Sequence, residues 1–169
     1  MSRRVAVYGA GSWGTAFSLV LADAGCEVTL WGRRPALTKA INETRSNPDY
    51  LPDVKLPANV TATSEPAEAA RGADIVVLAV SAQNARTLME AWHVLWEPRT
   101  VFVSLMKGIE LGTGRVMSEV IAETTGAGSE LMGILENGSG RNFVTVTNVS
   151  FSATCLAAEI PWSWGFCLC

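Results

Sequence analysis

Arg4-Val5-Ala6-Val7-Tyr8-Gly9-Ala10-Gly11-Ser12-Trp13-Gly14-Thr15-Ala16-Phe17 is the stretch that decides the fold. A short apolar run meets a glycine-spaced turn, and the turn opens onto a helical pattern. Glycines at 9, 11 and 14 have the spacing of a dinucleotide-binding loop. In such a loop Gly9 permits the tight turn, Gly11 lets the backbone approach a pyrophosphate, and Gly14 lets helix and strand pack closely. The helix N-terminus offers unpaired N–H groups and partial positive charge to phosphates. Glycine-rich turns are common, so the context decides. Thr15 to Ala24 reads as a helix with Ala16, Phe17, Leu19 and Val20 on its buried side, and Gly25 stands at its C-terminal stop. Glu27 to Trp31 reads as a second strand. The set makes a βαβ unit, with parallel strands and a right-handed crossover.

Arg33 and Arg34 follow the second strand. This place, about 20 residues past the loop, faces the adenosine ribose. An acid there would bind the 2′-hydroxyl and select NAD. Two arginines can instead pair with a 2′-phosphate through charge-assisted bonds. The pair favours NADPH, with NADH as the alternative; a solvated surface pair is the plainer reading.

Outward from this unit, strands and helices alternate. Pro35 starts a helix through Thr44, and residues 45–58, rich in Asn, Pro and Asp, read as a loop. Val60 to Thr63 is a short strand, and Ser64 is expected to cap a helix from Glu65 to Arg71. Asp74 to Val80 is apolar on both faces, as a central parallel strand should be. Gln83 to Trp96 reads as a helix with Leu88, Ala91, Trp92 and Leu95 on one side. Thr100 to Leu105 is the next strand, followed by a loop and a helix from about Arg115 to Thr124. The pattern predicts an α/β fold, a doubly wound parallel sheet of Rossmann-like type, incomplete at its C-terminal end. Ligands of such sheets sit at the carboxyl ends of the strands. That rule selects the Gly9–Gly14 turn, the loop after Val80 and the loop after Leu105.

The 169 residues suit one domain, or one domain plus part of a second, and a 49% apolar share can fill a core. A net charge of −3 gives no sign of a nucleic-acid surface. No apolar run reaches the length of a membrane span, and the opening residues lack the pattern of a secretory signal. A cytoplasmic location is expected. Cys26, Cys155, Cys167 and Cys169 then read as reduced thiols, and with His93 as the one histidine no metal site is expected. Residues 1–126 read as a dinucleotide-binding domain. Residues 127–169 read as an atypical apolar tail, with a disrupted continuation of the same domain as one interpretation. Phe143 to Thr147 is a strand candidate within it.

These residues resemble the N-terminal cofactor domain of NAD(P)-dependent glycerol-3-phosphate dehydrogenases. The resemblance is carried by Gly9 to Ala16, by Leu30-Trp31-Gly32-Arg33, by Asn47-Pro48-Asp49-Tyr50-Leu51-Pro52, and by Val103 to Glu110 with Met117 to Ile121. It implies reversible hydride transfer between a nicotinamide and the dihydroxyacetone phosphate/glycerol 3-phosphate pair. It implies that Ser12 and Trp13 lie along the cofactor, that Arg33 and Arg34 lie near its adenosine end, and that Tyr50 makes a cofactor-side contact. It places Lys107 where cofactor and substrate meet. Read from the residues alone, a cation after a central strand could hold a substrate phosphate or polarise a ketone. His93, Asp74 and Glu110 read respectively as a bystander in mid-helix, a strand-start cap and a solvated loop acid.

The family's later domain supplies the lysine for proton transfer, so no catalytic residue is expected within this chain. Ser152 to Ile160 faintly resembles the family's Ser-Gly-Pro segment, with Ala153 and Thr154 in place of its glycine and proline. The compositional shift favours a truncated or frame-disrupted product over a short protein with its own C-terminus. The competing function is a catalytically inactive dinucleotide-binding module; a homodimer is an open expectation. A dehydrogenase with another substrate domain is a third reading, against which the Lys107 segment argues.

Overall fold

The computed structural model describes residues 2–127 and 132–134. The strand candidate at 143–147, the cysteines at 155, 167 and 169, and the segment 152–160 lie outside the described residues. Strands β1 (Arg4–Tyr8), β2 (Glu27–Trp31), β3 (Val60–Thr63), β4 (Ile75–Leu78), β5 (Val101–Ser104) and β6 (Met132–Ile134) form one sheet. Helices α1 (Ser12–Asp23), α2 (Pro35–Thr44), α3 (Pro66–Ala70), α4 (Ala82–Trp92) and α5 (Met117–Thr125) flank it. The sheet order is β3-β2-β1-β4-β5-β6, and every pairing is parallel. The order reverses between β1 and β4, where two neighbouring strands send their connections opposite ways. That reversal leaves a crevice at their carboxyl ends. β6 pairs with β5 beyond residue 126, so the sheet runs across the expected domain boundary.

Alternation along β1 divides the core. Val5 and Val7 face the layer of α1 and α2, with Leu21, Leu30 and Ile41. Ala6 and Tyr8 face the layer of α3, α4 and α5, with Val76, Met89 and Ile121. All four are buried, as strands covered on both faces should be. The second layer is aromatic: Tyr8 lies 5.1 Å from Trp92 and 5.8 Å from Trp31 between ring centroids. The Tyr8 hydroxyl donates to the Pro66 carbonyl at 2.9 Å, which satisfies the polar end of a buried ring.

Three local expectations are corrected. Helix α1 starts at Ser12 and buries Gly14, Thr15, Ser18, Leu21 and Ala22; of the side expected to be buried, Phe17 and Leu19 are half-buried and pack against the core, and Ala16 and Val20 are half-buried. The helix approaches β1 on its small-residue face, and a Cβ on Gly14 would come within 1.9 Å of the Gly9 carbonyl oxygen. The Ser18 hydroxyl is tolerated there because it donates to the Gly14 carbonyl at 2.7 Å. Ser64 does not cap α3. The Glu65 N–H donates to the Thr63 hydroxyl at 3.1 Å, and the Ser64 carbonyl accepts the Trp31 indole N–H at 3.0 Å. Helix α4 ends at Trp92, followed by a 3-10 turn at His93–Leu95, and its buried residues are Ala85 and Met89. Trp92 is half-buried on that side, whereas Ala91 is exposed. The tighter turn carries Trp96 to Phe102, 5.2 Å between centroids.

Candidate functional site

Gly9 ends β1 with φ +125, a conformation open to glycine, and its missing side chain matters as much. A Cβ there would stand 2.3 Å from the carbonyl oxygen of Ala79, the residue after β4. The loop after β4 is therefore pressed against the glycine turn. Gly11 differs from Gly9 and Gly14: among the described residues nothing lies within 4 Å of where its Cβ would be. It is the N-cap of α1, with no side-chain cap and no acid in the first turn. The first N–H groups of a helix have no partner inside it. They begin beside the open space at Gly11, on a 12-residue helix whose dipole adds positive potential. These residues fit a dinucleotide pyrophosphate.

Ser12 and Trp13 are exposed in that first turn, Trp13 by 45%. Lys107, in the loop after β5, is also exposed, and its Nζ stands 5.7 Å from the Trp13 ring centroid. Two residues 94 positions apart in sequence thus meet over the start of α1. Of the expected site residues, Gly9, Gly11, Ser12, Trp13, Gly14 and Lys107 share the carboxyl end of the sheet around the β1/β4 reversal.

Arg33, Arg34 and Tyr50 gather at the neighbouring β2 end. A Cβ on Gly32 would lie 2.9 Å from the Ala10 Cβ, so the chain leaving β2 abuts the glycine turn. Arg33 is exposed and makes no ion pair with a described residue. The Arg34 guanidinium pairs with the Asp49 carboxylate. Asp49's hydrogen bond pushes the Arg34 pKa up, against a smaller desolvation effect. Tyr50 is exposed in the same turn as Asp49.

Sequence reading singled out that turn but missed what fastens it. Asn47 is fully buried. Its side-chain amide donates to the Ala10 carbonyl at 3.1 Å and to the Thr15 hydroxyl at 2.8 Å. Its own carbonyl accepts the Leu51 N–H at 2.9 Å. The signal was an Asn in a Pro-rich loop; its target, 32 and 37 residues away, is invisible without the fold.

The Lys107 loop is fastened as firmly. Gln83 on α4 donates to the Ile109 carbonyl and accepts the Leu111 N–H, both at 2.9 Å. Arg86 on α4 makes two bonds to the Glu110 carboxylate, 2.8 and 3.0 Å, and one to Glu123 on α5 at 2.8 Å. Thr113 donates to Glu110 at 2.5 Å. Glu110 is only 8% exposed, so the reading of a solvated loop acid is wrong. Its carboxyl pKa is lowered first by the Arg86 hydrogen bonds and then by Thr113, and that of Arg86 is raised in turn. The sequence hid this because Arg86, the charged partner, sits on another helix 24 residues away. Asp74 does cap a strand start: its carboxylate accepts the Arg4 N–H at 2.9 Å. His93 is exposed, with Nδ1 2.8 Å from the Glu90 carbonyl oxygen, away from the strand ends. Among the described residues no His, Cys, Asp and Glu group is placed to hold a metal, and no helix is long and apolar enough to cross a membrane.

Over residues 4–159 the chain matches the family described as NAD-dependent glycerol-3-phosphate dehydrogenase N-terminus. It is similar to glycerol-3-phosphate dehydrogenase (NAD(P)+) of Streptomyces coelicolor, 58% identical over 132 residues, 78% of this chain and 39% of that protein. The protein of the same description from Parafrankia sp. is 49% identical over 157 residues, 93% of this chain and 46% of that protein. The fold is similar to a crystal structure of glycerol-3-phosphate dehydrogenase from Coxiella burnetii, with TM-score 0.71 and 26% identity over 79% of this chain and 39% of that one. The chain spans less than half the length of these curated relatives.

Proposed function

We propose, from the premise that this chain belongs to the NAD-dependent glycerol-3-phosphate dehydrogenase family, that it is the dinucleotide-binding part of an NAD(P)-dependent oxidoreductase acting on dihydroxyacetone phosphate and glycerol 3-phosphate. The observation that carries the reading is the meeting of Lys107 and Trp13 over the uncapped start of α1. It joins a cation suited to a phosphate or a polarised ketone to an N-terminus suited to a pyrophosphate.

The roles follow from position. Gly9 and Gly14 keep the turn tight, and Gly11 with Ser12 presents backbone N–H groups to the pyrophosphate. Trp13 lines the cofactor's path, and Tyr50 adds a contact from the neighbouring turn. Arg33 and Arg34 hold the adenosine end, which favours NADPH, with NADH as the alternative. When bound, the nicotinamide supplies or accepts the hydride. Lys107 orients the substrate beside it and stabilises negative charge on the substrate oxygen. By the family resemblance, the proton donor lies outside this chain. The β5–β6 pairing supports a cofactor domain that continues past residue 126. A cytoplasmic setting belongs to the same reading.

A second reading is a dinucleotide-binding module that binds without turnover, since fold-level analogy supports binding more firmly than chemistry. One pair of measurements separates them. The chain is titrated with NADPH and NADH by nicotinamide fluorescence, then assayed for NADPH oxidation with dihydroxyacetone phosphate. Both dinucleotides should bind, NADPH the tighter, and Lys107→Ala should weaken any turnover far more than it alters the fold. Binding without oxidation leaves the module reading standing. A folded chain that binds neither dinucleotide refutes both.

A further inference from the structure

We propose that Asp49 is a cofactor-selecting residue: its carboxylate competes with a 2′-phosphate for Arg34 and so narrows the preference for NADPH over NADH. The inference rests on the dinucleotide reading above and deepens it.

The place after β2 holds two arginines and no acid in sequence. Folding supplies the acid from elsewhere. Asp49 sits in the turn between Asn47 and Leu51, which bridge to each other, and its N–H donates to the Asn47 side-chain oxygen at 3.3 Å. Asn47 is itself bonded to the glycine turn and to α1. Asp49 is therefore carried on a segment anchored to the cofactor loop, and its carboxylate meets the Arg34 guanidinium.

The charges give the direction. Arg33 makes no ion pair with a described residue, while Arg34 is already paired. Arg33, Arg34 and Asp49 together carry one net positive charge where the two arginines alone would carry two. A phosphate monoester carries about −1.5 to −2 at neutral pH, so it must draw Arg34 away from a carboxylate and approach that carboxylate's charge. A 2′-hydroxyl meets neither penalty. The Arg34 and Asp49 side chains are 52% and 43% exposed, so the pair is screened and separable. It modulates selection and does not abolish NADPH binding.

The test uses the 169-residue chain and its Asp49→Asn and Asp49→Glu variants, each titrated with NADPH and with NADH at low salt. Asp49→Asn should bind NADPH about two- to fivefold tighter, the span of an exposed ion pair, with NADH affinity and melting temperature unchanged. Asp49→Glu should fall back towards the parent, and 0.5 M salt should erase most of the gain, since the Debye length shrinks from about 30 Å at 0.01 M salt to about 3 Å at 1 M. An unchanged NADPH:NADH ratio, equal gains for both, or weaker NADPH binding would overturn the proposal. Weaker binding would mean that Asp49 aims Arg34 at the phosphate. If the parent binds neither dinucleotide, the underlying dinucleotide reading falls, and the selecting role falls with it; a parent that binds both with an unaltered ratio in Asp49→Asn removes the selecting role alone.

Discussion

Gly11 and Gly14 lie within one turn of each other and serve different ends. Gly14 is bound by packing, with the Gly9 carbonyl oxygen 1.9 Å from where a Cβ would sit. Backbone cannot move aside cheaply, so Gly14→Ala should cost about 3 kcal/mol, the upper range of overpacking, read as a lower melting temperature. Gly11 has an ordinary extended φ of −87 and open space beyond it. Gly11→Ala should leave stability within about 0.5 kcal/mol but weaken NADPH roughly tenfold or more, since the new methyl occupies the ground reserved for backbone–phosphate approach. Comparable melting losses in the two variants would contradict this division. The glycine spacing was legible in sequence, and so was the expectation that Gly14 answers to packing and Gly11 to ligand approach; the fold adds the contact that enforces the first, backbone against backbone at Gly14, and the open space among the described residues at Gly11.

At the scale of elements, the loop from Met106 to Val116 is held to α4 and α5 by charge. The Glu110 carboxyl has a lowered pKa, so its contribution to stability is fully present above the ordinary carboxylate range and is lost as pH falls through the lowered value. Arg86 stays charged throughout. In Glu110→Gln the melting temperature should drop most near pH 7, and the gap from the parent should close as pH falls below about 4. A gap that is constant with pH would rule out the carboxylate as its source. The same elements show where periodicity misleads. The buried face of α1 joins Leu21 to a small, partly polar stripe of Gly14, Thr15, Ser18 and Ala22, since a helix that must approach a strand closely turns small residues inward where it touches. Hydrophobicity alone selected Ala16, Phe17, Leu19 and Val20, all half-buried, of which Phe17 and Leu19 pack against the core.

For the whole molecule, the sheet order brings the ends of β1, β4 and β5 to one face, so dinucleotide binding should stabilise the entire unit. At a hundred times its dissociation constant NADPH should add about 2.7 kcal/mol, a rise of roughly 5–10 °C in melting temperature for a domain of this size. At the same NADPH concentration a tenfold weaker Gly11→Ala should keep only about half of that stabilisation, which would tie the effect to the glycine turn; a rise left whole by the substitution would place binding elsewhere. Strands, helices and the parallel class were readable in order because each rests on local signals: an apolar run, a glycine stop, a proline start. The strand-end positions of the glycine turn, of the arginines after β2 and of Lys107 were readable too. Asn47 beneath the turn, Asp49 on Arg34, and Gln83 and Arg86 behind the Lys107 loop came only with the fold. Each joins positions 15 to 37 residues apart, and side-chain hydrogen bonds across such distances leave no periodic trace in a sequence. They exist because the β1/β4 reversal folds separate loops onto one face, and it is these contacts that turn a glycine motif into a site with defined neighbours.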